Sequence, residues 1–222
     1  MNQLVQVCLV VLAAAGAQQR QAGIHVELPV TKNAVAAPGA DESGALVVTI
    51  TGDGRVYVGV TPTGPADLSE TLKRVLSREK GKQLYLKGDA RTPYGKVLDV
   101  LETLPAAGFV KVSVLTYQQE PPEPGKLLSP KALEVLLGAR APAGAGSAHV
   151  ALLRSEQGRT DVKIDNELVP RGTLASALRG ALSTQKAAVV HAEAEVPFGE
   201  VVGVIDVCRS AGATVVLQTS AP

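Results

Sequence analysis

Two stretches of this chain nearly repeat one another: Pro93-Tyr94-Gly95-Lys96-Val97 and Pro197-Phe198-Gly199-Glu200-Val201, an offset of 104 from position 93 to position 197. The same offset pairs Gly54-Arg55 with Gly158-Arg159, Val58 with Val162, Lys82 with Lys186 and Gly108 with Gly212. A repeat of this length constrains the fold more than any local pattern does, because each copy must first be read as one unit. It predicts a tandem duplication.

In the first copy Leu46, Val48 and Ile50 alternate with other residues, Thr51-Gly52-Asp53-Gly54 carries turn chemistry, and Val56, Val58 and Val60 resume the alternation. That is a hairpin with one buried face. Asp67 is placed to cap a helix from Leu68, with Leu72, Val75 and Leu76 on the apolar face and Gly81 after its end. A strand at 83–86 follows. Then Tyr94, Val97, Leu98, Leu101 and Leu104 form a second helical stripe, Gly108 stops it, and a strand returns at 111–116. A helix between two strands implies a parallel crossover.

The second copy repeats the plan with Val162 and Ile164, then Leu174, Ala177, Leu178 and Leu182, a strand at 188–190, and a helix bearing Phe198, Val201, Val202 and Ile205. Gly212 and a strand at 214–217 close it. Cys208 falls where the first copy has Leu104, in the apolar stripe, and reads as a small hydrophobe.

The predicted fold class is α+β: two tandem two-layer α/β domains, each hairpin-helix-strand-helix-strand on a mixed sheet, after a short apolar N-terminal helix. The boundaries are 1–18 for an apolar leader or membrane anchor, 19–44 for a flexible tether, 45–117 and 148–220 for the two domains, and 118–147 for a linker rich in Pro, Ala and Gly. Within that linker a short helix is predicted at 130–137, carrying Leu133, Leu136 and Leu137. Sheet edges left open by such domains are predicted as the interaction surface.

Charge and composition narrow the function. With 22 Lys and Arg against 21 Asp and Glu there is no basic excess for nucleic acid, and aromatics at 3% with no Trp give no stacking platform. No nucleophile elbow, phosphate loop, dinucleotide loop or paired-cysteine motif occurs in the sequence, so neither an enzyme nor a bound cofactor is predicted. His191, Glu193 and Glu195 have the spacing of one strand face, which suits a metal. Their repeat counterparts are Lys87, Asp89 and Arg91, a set unfit for that role, so a solvated strand end is preferred and no metal is predicted. Pro93, Tyr94, Gly95, Pro197, Phe198 and Gly199 read as structural strand-to-helix turns, each aromatic opening an apolar stripe.

The segment 4–17 has no formal charge and includes Val5, Val7, Leu9, Val10, Val11 and Leu12 before a small-residue run. As a helix it extends roughly 21 Å against a hydrocarbon core of about 30 Å. A short membrane anchor and a secretory signal cleaved after Ala17 both remain open.

Taken with His25-Val26-Glu27-Leu28-Pro29 and the run from Asp89 to Leu101, this leader resembles the ExbD/TolR family of biopolymer-transport proteins. The resemblance implies a single inner-membrane helix with small periplasmic α/β domains, and here the periplasmic domain is read as duplicated. Gln6 falls at the family's membrane aspartate, which is thought to take up and release protons. An amide has no usable titration there. The implied partners are an ExbB/TolQ-like channel subunit, a TonB/TolA-like protein or peptidoglycan, and other copies of the chain in a homo-oligomer. The function expected is a non-catalytic component of a proton-motive-force-coupled envelope complex. The alternative is a secreted periplasmic binding module without channel activity.

Overall fold

The computed structural model describes residues 24–78, 81–118, 130–142 and 146–219. Two short strands, β1 (Val30–Thr31) and β2 (Val35–Ala36), precede a 3-10 turn at Pro38–Asp41. A first set follows: β3 (Leu46–Ile50), β4 (Val56–Val58), β5 (Thr61–Pro62), α1 (Pro65–Arg78), β6 (Leu84–Gly88), α2 (Tyr94–Thr103) and β7 (Lys111–Gln118). After β8 (Lys131–Gly138) comes a second set in the same order: β9 (Ser147–Arg154), β10 (Thr160–Ile164), β11 (Glu167–Val169), α3 (Leu174–Thr184), β12 (Ala187–Ala192), α4 (Phe198–Ser210) and β13 (Thr214–Gln218).

These strands share one mixed sheet in the order β11-β10-β9-β12-β13-β8-β7-β6-β3-β4-β5, with β1 beside β7 and β2 beside β8. In both sets the strand-helix-strand connections are parallel: β3 with β6, β6 with β7, β9 with β12 and β12 with β13. The hairpins turn at equivalent places, where Gly54 has φ 80° and Gly158 has φ 72°, a backbone that a side chain would strain.

Residues two apart on each strand face the same way. Leu46, Val48 and Ile50, Leu84 and Leu86, Val112 and Val114 join Val150, Leu152, Val190 and Leu217 in one buried cluster with residues of all four helices. All four helices therefore cover one face of the sheet. Where the repeat predicts two self-contained cores, the buried residues form one connected cluster. On the opposite face Tyr85, Leu115 and Ala132 form a small cluster under Leu28, Ala40 and Ala45.

The helix predicted at 130–137 is instead strand β8, antiparallel to β7 and parallel to β13. Leu133, Leu136 and Leu137 fit a helical face, but Leu133, Val135 and Leu137 fit a strand equally, and short apolar runs do not separate the two. Tertiary context decides. β7 and β13 each present an unpaired row of N–H and C=O groups, and a strand between them satisfies both rows while burying Leu133, Val135 and Leu137 in the common core. Residues 131–138, within the stretch read as a linker, are thus part of the sheet.

A second correction concerns the tether. Of the segment read as flexible from 19 to 44, the described part, 24–44, lies against the sheet and contributes β1 and β2. Two smaller differences occur in the first set. Helix α1 begins at Pro65, with Asp67 in its first turn rather than ahead of it, and Val60 leaves the hairpin to stand 62% exposed. The sheet ends on β5, two residues with Pro62, and on β11, three residues before Pro170. Short strands with proline are poor templates for added strands.

Candidate functional site: a seam and its strap

The first backbone N–H groups of a helix lack partners inside it, and a Ser, Thr, Asp or Asn side chain usually accepts from one of them. Helices α2 and α4 have proline, Pro93 and Pro197, at that position and no side-chain cap. Their orphan donors are satisfied by each other's entry loops. Tyr94 N donates to Val196 O at 2.8 Å and Gly95 N to Ala194 O at 2.9 Å. In return Phe198 N donates to Thr92 O at 2.9 Å and Gly199 N to Ala90 O at 2.8 Å. Pro93 and Pro197 face each other as an isolated antiparallel bridge. Reciprocal exchange of this kind is how a two-fold interface is built.

Close approach of backbone to backbone requires small residues. A Cβ on Gly95 would meet the Cβ of Ala194 at 2.9 Å, and one on Gly199 would meet the carbonyl oxygen of Ala90 at 3.1 Å. Behind the bonds lie Tyr94 and Phe198, 1% and 0% exposed. The Tyr94 hydroxyl is buried with no hydrogen-bond partner among the described residues, and burial pushes its pKa up, with Glu102 adding to the effect. The six turn residues read from the sequence are therefore brought together at one place. Gln6 lies outside the described residues.

Across the seam runs a strap, residues 24–37. At the first set, Asp89 is 3% exposed; its Oδ2 accepts from Glu27 N at 3.1 Å and from Arg91 Nη2 at 3.0 Å, while Oδ1 accepts from Arg91 N and Nε. The Arg91 guanidinium, helped by the two backbone N–H groups, holds the Asp89 carboxyl down to about 2 against the cost of burial. Ala90 N donates to Glu27 O, Tyr117 N to Pro29 O, and the Thr31 hydroxyl to that of Thr116. The strap then crosses to the second set. There Asp206 on α4, 7% exposed, accepts from Lys32 N, from Asn33 N and from Asn33 Nδ2. Finally Val35–Ala36 pairs with β8.

Asp89, Asp206, Ala90 and Ala194 were not singled out as partners from the sequence. The missing cap residue before α2 and α4 was the available signal. His191 and its neighbours Glu193 and Glu195 lie at the end of β12, where the Glu193 carboxylate accepts from Arg154 N. Among the described residues no group of three His, Cys, Asp or Glu is arranged for a metal, and no helix is long and apolar enough to cross a membrane. Burial raises the Cys208 thiol to about 12, which keeps it protonated inside α4's apolar face.

The profile of the family described as biopolymer transport protein ExbD/TolR matches residues 1–119, more than half of the chain. The chain belongs to the ExbD/TolR family. A biopolymer transport protein ExbD from Pseudomonas putida is 25% identical to it over 112 residues, covering 50% of this chain and 77% of that protein. The ExbD/TolR match takes in the leader, the strap, the first set of elements and one side of the seam; the second set lies beyond it.

Proposed function

We propose that this chain is a non-catalytic coupling component of a proton-motive-force-driven envelope transport or stabilisation complex. Membership of the ExbD/TolR family over residues 1–119 is the observation that carries this reading. In it, the leader sits in the inner membrane beside an ExbB/TolQ-like channel subunit, and the α/β portion works in the periplasm on a TonB/TolA-like protein or on peptidoglycan, with further copies of the chain in the assembly. The second set of elements is a tandem duplicate of the first. Its agreement in element order and the reciprocal seam support this.

The residue at the membrane aspartate's place is Gln6, so proton uptake falls to a carboxylate on another chain. In a complex reconstituted with its channel partner, Gln6→Asp is expected to raise proton-dependent activity and Gln6→Ala to leave proton flux nearly unchanged. A large loss of flux in Gln6→Ala, with assembly intact, counts against this account. Gln6 also favours a second reading, a periplasmic module released by cleavage after Ala17. N-terminal sequencing of the mature protein separates the two: a start at Gln18 supports release, and an intact leader in the membrane fraction supports the anchor.

A further inference from the structure

On the sheet face away from the helices, the strap and the turn at 38–45 enclose a cavity of about 640 Å³ against β3, β6 and β7. That is the size range of small-ligand sites. Its walls include the apolar Leu28, Ala45, Val47 and Leu115. Its floor holds two polar groups side by side, because Thr49 and Lys87 are register partners on the parallel strands β3 and β6 and project from the same face. No hydrogen bond of the Lys87 ammonium or of the Thr49 hydroxyl is found among the described residues.

A half-buried ammonium without an acceptor is costly. Desolvation lowers the Lys87 pKa, and the Asp41 carboxylate, which also lines the cavity, offsets only part of that. A ligand oxygen carrying negative charge would relieve the cost with a charge-assisted bond, and the Thr49 hydroxyl would donate a second. Asp41, Glu42 and Lys131 also line the cavity, and Asp41 and Lys131 each have an interaction of their own within the protein. The two carboxylates favour a ligand of one negative charge over a dianion.

We propose that this cavity binds a small organic monocarboxylate with an apolar body, its carboxylate seated on Lys87 and Thr49 and its body against Leu28, Val47 and Leu115. Because Leu28 belongs to the strap, the occupied site holds the strap closed on the first set. The site is independent of any proton coupling at the leader.

The test is titration of isotope-labelled full-length protein with hexanoate, hexylamine and hexyl phosphate, followed at the amides of Val47, Thr49 and Lys87. Hexanoate is expected to give saturable shifts and to slow hydrogen exchange at Glu27, while hexylamine and the dianionic phosphate do neither. Lys87→Met should weaken hexanoate binding by about tenfold or more and Lys87→Arg should retain it, with Thr49→Val weakening it by about threefold. Thermal melting of each variant reports whether it folds, and Lys87→Arg keeps the test intact if Lys87→Met does not. The proposal is overturned by shifts that do not saturate, by equal binding of hexylamine at the same amides, or by unchanged affinity in folded Lys87→Met.

Discussion

The ring of Phe198 lies directly over the backbone of Gly88: a Cβ at position 88 would sit 2.5 Å from the ring's Cε1 and 2.8 Å from Cδ1. One residue opens helix α4 and the other closes strand β6, so a side chain of the second set is seated on a strand of the first. Four main-chain hydrogen bonds and two proline turns hold it there.

Gly88→Ala is therefore expected to destabilise the protein by about 1–3 kcal/mol, since the added methyl group would overlap a ring that is fully buried. Phe198→Leu should also destabilise, through the volume it removes. In the double variant the smaller side chain leaves room for the new methyl group, so the combined loss should fall short of the sum. Urea denaturation of the four proteins measures this, and strict additivity would count against the contact.

Gly95 and Ala194 give a second cross-seam pair. Gly95→Ala places two methyl groups 2.9 Å apart and is expected to lower the thermal midpoint, whereas Ala194→Gly in the same chain should restore most of the loss. Failure of the second change to rescue the first would mean that the cost arises within α2 rather than across the seam.

Asp206 ties the strap to α4 through three N–H donors from Lys32 and Asn33. Asp206→Ala leaves those donors without their acceptor and should cost about 1.5–3 kcal/mol locally. Amide hydrogen exchange is the measurement: protection at Lys32 and Asn33 should fall sharply while that of β6 and β12 is kept. Equal loss throughout would show that the strap and the sheet open together.

The Asp89 carboxyl, normally near 3.8, is held at about 2 by Arg91 and the strap. A folded-state pKa below the unfolded value gives stability that is fully present above pH 3.8 and is lost as pH falls from 3.8 through about 2. The contribution is at most about 2 kcal/mol, as Arg91 is largely exposed and screened. Asp89→Asn should flatten the decline of stability in that window while costing stability at neutral pH. An unchanged slope would remove Asp89 as its source.

The sequence by itself determined the local plan and the family. Alternating valines and leucines, turn glycines such as Gly54 and Gly158, and two helical stripes are local signals, because the period of burial is set by strand and helix geometry. The leader, the Val26-Glu27-Leu28-Pro29 segment and the Tyr94-Gly95 turn carry the resemblance that the family match bears out. The tertiary structure alone decided how these parts close. Whether residues 131–138 form helix or strand depended on the open hydrogen-bonding rows of β7 and β13, far away in sequence. Asp89 and Asp206 became anchors only when a strap with unpaired N–H groups was laid beside them, and no periodicity announces a partner 62 or 173 residues away. The first N–H groups of α2 and α4, left without a side-chain cap by Pro93 and Pro197, found their acceptors across the seam for the same reason: backbone groups carry no sequence signature, and burial forces them to pair.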